Sequence, residues 1–354
     1  MASAAVATRD RHPSKSSRGG AKPRHPATAS PSAPAAKTPI KIPRDGKSCD
    51  VTADGRTVTL TNLQKPFWPE LGITKADLIQ YYADVAPVLL PHLADRAMVM
   101  KRYPHGAHGE FFFMKRAPVP RPEWIETCSI EHESQNVIDF PVVQDLPTLL
   151  WLINLGCIDL NPWYARCDDV DRPDFLHFDL DPVSPTGTNK PVPFQRVLEV
   201  ALILREALDS LGAPSYPKTT GSRGIHVYVP IVRGPTQKQV WTFAKAFAQA
   251  LAKREPKLIT AEYKIAKRPQ GRVLVDYNQN AWGRTLSSVY SVRPKPHAPV
   301  SMPVTWKEVE RGITIEQFNL KNARARIAKC GDLWKPLLPD AKVRVDLEKL
   351  LKTE

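Results

Sequence analysis

Apolar residues recur along this chain in two rhythms, which alternate from about residue 45 onward. The helical rhythm is clearest after Thr74. There Ile79, Tyr82, Val85 and Leu89 form one stripe behind a capping threonine, which predicts a helix from Lys75 to about Leu90. The same spacing predicts helices over residues 146–155, 194–211 (stopped by Gly212) and 237–253. Short runs of apolar residues predict a small β region over residues 51–63 and short strands at 97–102 and 110–114. Such runs also predict a strand at 175–182, a strand–turn–strand unit spanning 215–230 about the turn Gly221–Gly224, and strands at 272–277 and 287–292. The C-terminal part reads as helical and punctuated by proline. No internal repeat is visible. Strands and helices mixed in this order predict an α+β fold with mixed sheets, since the βαβ alternation of a doubly wound fold is missing.

With 354 residues the chain can bury a substantial core, as one large domain or two small ones. Its most apolar run, Leu146 to Ile158, lies between Asp145 and Asp159 and is too short to span a bilayer, and no secretory signal is recognisable. Five cysteines without a CxxC pair argue against a zinc site or a disulfide framework, so a reducing cytoplasm is expected. The net charge of +14 is unevenly placed: residues 1–44 hold nine Lys or Arg against the single acid Asp10. That segment is rich in Ala, Ser and Pro and is expected to be a disordered tail, leaving a folded domain over 45–345 and a short tail at 346–354. Two readings of the basic tail stay open, a solubilising leader and an arm that attracts nucleic acid by counterion release.

The chemistry concentrates in three segments. In HFDLDP, Asp179 and Asp181 sit at i and i+2 of a strand and project from the same face, while Leu180 turns into apolar packing. Two carboxylates that close repel unless a cation neutralises them, and hard ions such as Mg²⁺ or Mn²⁺ favour such oxygens beside substrate phosphates. In KTTGSRGIHVYVP, the glycines allow a tight turn whose N–H groups would face an anion, and Lys218, Arg223 and His226 surround it, a set suited to a triphosphate. The competing reading is a Gly-rich hairpin with a core histidine; GxxxxGK[ST] is absent. Asp276 ends the run Val273–Asp276, where an ordinary strand-end cap is the alternative to a ligand, and Arg284 and Arg293 follow as phosphate contacts or solvated surface. Alternation across Phe111-Phe112-Phe113 sends Phe112 to the side opposite its neighbours, so one side has a ring free to stack a nucleobase beside Lys115 and Arg116, or to pack in the core.

Together these segments resemble the polymerase domain of bacterial DNA ligase D, within the archaeo-eukaryotic primase superfamily. The resemblance runs from about Lys47 to about Leu338 through LTNLQKPFWPELGITK, GEFFFMKRAP, NLGCIDLNPW, LHFDLDP, KTTGSRGIHVYVP, VLVDYNQN and SSVYSVRPKP, in the family's order. It implies a primase-polymerase fold and a template-directed nucleotidyltransferase that uses two Mn²⁺ or Mg²⁺ ions and NTP or dNTP substrates, ribonucleotides preferred. It implies work at DNA ends in non-homologous end joining, beside Ku and a ligase. By the same resemblance, Asp179, Asp181 and Asp276 form the metal triad; Phe113, Thr220, Arg223, His226 and Arg293 hold the nucleotide; and Asn62, Lys65 and Lys75 bind a downstream 5′-phosphate. Two departures stand out. Asn161 replaces a histidine that some members use near the sugar or metal, which bears on sugar discrimination. No KxDG ligase motif is found, so a free-standing polymerase acting with a ligase in trans is expected. The competing class is a catalytically silent adaptor that recognises 5′-phosphorylated DNA ends.

Overall fold

The computed structural model describes residues 40–132, 135–184 and 192–352. Residues 1–39 of the expected tail lie outside the described residues. The packed chain begins earlier than residue 45: Ile42 is buried, and Gln80 ties the segment down by accepting from the Ile42 N–H and donating to the Ile40 carbonyl. At the other end Leu347 is buried and the helix Leu347–Lys352 follows, so the fold extends into the expected C-terminal tail.

Two sheets position everything that follows. The larger has five strands in the order Tyr216–Thr219, Ile225–Pro230, Phe175–Pro182, Val273–Asp276 and Ile259–Thr260, antiparallel except for the last pair. The smaller has three antiparallel strands in the order Phe112–Met114, Met98–Arg102 and Cys157–Pro162. Helices Phe194–Ser210 and Gln237–Arg254 cover one face of the larger sheet, where the Phe178 ring packs 5.3 Å from Phe247. Since Phe178 and Leu180 alternate with their neighbours, His177, Asp179 and Asp181 face the other way. The arrangement is α+β, as the order of elements implied.

Most predicted elements form within a few residues of their expected bounds, and the exceptions have physical causes. The first helix runs Lys75–Leu93, through Pro87 and Pro91. A capping box between Thr74 and Asp77 and a buried stripe including Leu78, Ile79, Tyr82, Val85, Leu89 and Leu93 offset the hydrogen bonds that proline forfeits. The expected strand at 287–292 does not form. Its serines bind sideways instead: Ser287 Oγ donates to Asp159 Oδ1, the Ser288 N–H donates to the Leu160 carbonyl, and Ser291 Oγ accepts from the Leu160 N–H. Such hydroxyls compete with a ladder. The strand Cys157–Pro162 and the hairpin Thr127–Glu131/Val137–Pro141 were not apparent in the sequence, the former because its apolar run merges with the preceding helix.

Gly224 sets how closely the turn approaches the central strand. A Cβ there would stand 2.1 Å from the Leu180 carbonyl oxygen and 3.1 Å from Asp181 Oδ1. Gly224→Ala should therefore destabilise the fold by about 1–3 kcal/mol, the usual cost of overpacking, read as a lower urea midpoint. An unchanged midpoint would show that the turn can move aside freely.

Candidate active site

Register places the candidate residues in rows. Across the larger sheet Lys218 pairs with His226, His226 with Asp179, and Asp179 with Asp276, so four polar side chains share one face on four adjacent strands. Across the smaller sheet Phe113 pairs with Lys101 and Lys101 with Asp159. The two rows meet about a cleft of about 250 Å³ lined by Asp179, Asp181, Arg223, His226, Arg293, Phe113, Lys101 and Asn161, among others. Arg293 bridges the sheets: its Nε lies 3.2 Å from buried Asp159 Oδ2, and its Nη1 donates to the Thr220 carbonyl at 2.6 Å.

The acids are under electrostatic stress. Burial, then the charge of Asp276, raises Asp179 from an ordinary 3.8 to about 7. Burial, then Asp179, raises Asp181 to about 7 as well. For Asp179 that is a bias of roughly 4 kcal/mol toward the protonated form. Its Oδ1 is buried without a hydrogen-bond partner, although His226 Nε2 lies 3.3 Å away. Two carboxylates that burial and mutual repulsion keep from ionising, one with an orphaned oxygen, fit a hard divalent cation.

Asp276, the third acid of the expected triad, faces Asp179 across the sheet and is also engaged by its own turn. Its Oδ1 accepts from the Asn278 N–H at 2.8 Å and its Oδ2 from Gln279 Nε2 at 3.1 Å, so it caps the turn that follows while standing in register with Asp179. Asp181 leans toward Arg223, 3.8 Å away. Among the described residues no three His, Cys, Asp or Glu side chains gather as a metal cage. Asp181 and Asp276 each have a partner, whereas Asp179 Oδ1 has no hydrogen bond.

The turn also differs from its expected form. Thr220 Oγ1 accepts from the backbone N–H groups of Ser222, Arg223 and Gly224, at 3.1–3.2 Å, so these amides point inward. Thr220 thus shapes the loop, and its own hydroxyl proton remains for a ligand in the cleft it lines. Gly221, at φ +63°, lies beneath Arg293, whose Cγ a Cβ would meet at 2.7 Å. Arg223 is largely exposed at the rim, while Lys218 is fully buried behind His226 and does not line the cleft, contrary to its reading as a phosphate contact. Arg284 is exposed and also stands outside the lining.

The aromatic run divides as alternation requires. Phe113, 57% exposed, and Phe111 flank the Lys101 ammonium, which lies 4.0 Å from the Phe111 centroid and 5.5 Å from that of Phe113. Phe112 faces the other side, with Arg102 5.2 Å above its ring. Asn62, Lys65 and Lys75 cluster through their backbones: the Lys65 N–H donates to the Asn62 carbonyl and the Lys75 N–H to the Lys65 carbonyl. Lys75 Nζ donates to the Thr61 carbonyl and to Asn154 Oδ1. Burial, then Lys65 and Arg102, holds its pKa down to about 8. Lys101 and Asp159 are the site residues that sequence reasoning overlooked. Asp159 and Asn161 are spaced i, i+2 in an apolar run, the same signal that exposed Asp179 and Asp181.

The family described as LigD, primase-polymerase domain matches residues 74–334. The chain belongs to it. The LigD primase-polymerase fold is matched in three dimensions by the polymerase domain of Mycobacterium tuberculosis ligase D in complex with DNA, at a TM-score of 0.74 and 31% identity, over 80% of this chain and 99% of that one. The multifunctional non-homologous end joining DNA repair protein LigD of M. tuberculosis H37Rv is 31% identical over 300 residues, 82% of this chain and 38% of its own length. The bifunctional non-homologous end joining protein LigD of Bacillus subtilis is 33% identical over 275 residues, 77% of this chain and 42% of its own length. The chain therefore spans about two-fifths of the curated relatives it matches. No described helix is long and apolar enough to cross a membrane.

Linkage to pH follows from the raised acids. Asp179 and Asp181 hold protons in the folded chain that the unfolded chain has released, so stability is lost as pH climbs from about 4 to about 7. A divalent cation bound by the ionised pair would relieve this penalty. Mn²⁺ should raise the melting temperature more at about pH 7.5 than at about pH 5. Equal shifts at both pH values would contradict a cation held by these carboxylates.

Proposed function

We propose that this chain is a template-directed nucleotidyltransferase that extends or fills DNA ends, with ribonucleotides preferred, in non-homologous end joining beside Ku and a DNA ligase. The observation that carries the reading is the meeting of the two rows: paired, charge-starved acids on one wall of a cleft whose other walls are basic and aromatic. Two divalent cations held by Asp179, Asp181 and Asp276 would lower the pKa of a primer 3′-hydroxyl and neutralise a triphosphate. The chain's own residues do the positioning. Arg223 at the rim and Arg293 between the sheets supply positive charge to the triphosphate, His226 donates a neutral hydrogen bond, and Phe113 offers a face for the base. Phosphoryl transfer asks mainly for alignment and charge, so no covalent nucleophile is needed. Asn62, Lys65 and Lys75 would receive the 5′-phosphate of the downstream strand.

The adaptor reading is weaker because end-binding alone gives no reason to bury repelling acids in a cleft. Primer extension with labelled ribonucleotides and Mn²⁺ separates the two. The wild type should extend, and Asp179→Ala should abolish extension while DNA binding survives; a wild type inert on every template and metal would favour the adaptor.

Lys65→Ala combined with Lys75→Ala should remove the preference for 5′-phosphorylated gaps and leave simple primer–template extension largely intact. In the wild type that preference should fall as pH rises through about 8, where Lys75 loses its proton. Equal loss on both substrates, or a preference indifferent to pH, would remove the phosphate assignment.

A further inference from the structure

We propose that Trp282 is a stacking platform for an unpaired nucleobase of a DNA strand entering the cleft, with Arg284 placed to meet that strand's phosphate. Trp282 lies in the loop that leaves Asp276. Residues on both sides of it in that loop, Gln279 and Thr285, line the cleft, so the loop runs along the rim. The Trp282 ring is 38% exposed, and its indole N–H has no hydrogen-bond partner among the described residues. Exposed rings are ordinary on a protein surface when they are scattered and loosely held. This one is neither loose nor remote from the chemistry.

Two sets of contacts hold it. Asn280, two residues earlier, is fully buried: its Nδ2 donates to the His177 carbonyl at 2.7 Å, and its Oδ1 accepts from the His177 N–H at 3.0 Å. Its own carbonyl accepts from the Tyr164 hydroxyl. The loop is thereby pinned to the strand that carries Asp179. The Trp282 ring then meets two others almost at right angles, Trp163 at 5.0 Å and 87° and His132 at 5.2 Å and 86°. Trp163 is itself buried and packs against Phe140 at 5.7 Å. A ring fixed in this way gives up little side-chain freedom when a base stacks on it.

Charge selects the partner. Arg284 is exposed two residues on from Trp282, and its guanidinium has no ion pair among the described residues. A rigid ring beside an unneutralised guanidinium suits a single strand, because every base has a π-face and every linkage a phosphate. A base inside a duplex is already covered on both faces, so the platform distinguishes unpaired DNA from paired. This role rests on the reading of the cleft as one that works on DNA ends.

The test is photo-crosslinking of the full chain to primer–template DNA that carries 5-bromouracil at successive positions of a 5′ or a 3′ overhang. Trypsin releases Trp282 in the peptide Val273–Arg284, and mass spectrometry locates the adduct. The wild type should cross-link at Trp282 from an overhang position and from no position within the duplex. In binding assays without nucleotide, Trp282→Ala should weaken affinity for overhang DNA about tenfold and leave a blunt duplex unaffected, with Trp282→Phe recovering most of the loss. Adducts that form only on other residues overturn the proposal, and so does an overhang-to-blunt affinity ratio that Trp282→Ala leaves unchanged. The wild-type adduct decides even if Trp282→Ala fails to fold. A wild type that binds overhang DNA without an adduct at Trp282 sinks this inference and spares the polymerase reading; one that binds neither DNA sinks both.

Discussion

Repulsion between carboxylates, one buried and two half-buried, organises this molecule's site. Asp179 and Asp181 are forced to the same face by strand geometry, and Asp276 is set opposite Asp179 by antiparallel register. None of the three can move apart along the chain, so the surroundings must answer their charge. Arg223 leans on Asp181, His226 approaches Asp179, and the turn after Asp276 wraps its carboxylate in hydrogen bonds. What remains uncompensated appears as two acids raised to about 7. On the proposed reading, divalent cations and the triphosphate they accompany would relieve that penalty.

The second constraint is that the cleft belongs to two sheets. Neither row alone makes a nucleotide site: one carries acids and an imidazole, the other a ring, a lysine and an aspartate. Arg293 joins them, held at one end by Asp159 and at the other by the Thr220 carbonyl. Gly221 leaves room for its stem and Gly224 lets the turn lie against Leu180. Basic charge on this scaffold is therefore structural first, and it becomes available to a ligand only where a guanidinium edge opens on the cleft.

What the sequence disclosed followed from periodicity. The DxD pair was legible because apolar neighbours and a terminal proline mark residues 175–182 as a strand, and alternation then dictates the face. The split of Phe112 from Phe111 and Phe113 followed from the same rule. Lys218 was misplaced because composition registers a charge without its depth; only the register with His226 puts it behind the site. Thr220 was read as a contact, whereas its hydroxyl first satisfies three backbone N–H groups, a local bond network that no spacing announces. The strip 287–292 looked like a strand because it is rich in Val and Tyr, yet its serines found better partners on Asp159 and Leu160.

The account depends on the acids of the central strands accepting divalent cations beside a triphosphate. Anomalous diffraction from crystals soaked with Mn²⁺ and a non-hydrolysable ribonucleoside triphosphate tests this most directly. The account predicts manganese within coordinating distance of Asp179, Asp181 and Asp276, with the phosphates lying between Arg223 and Arg293. Manganese bound elsewhere, or a triphosphate seated away from the Gly221–Gly224 turn, would contradict it.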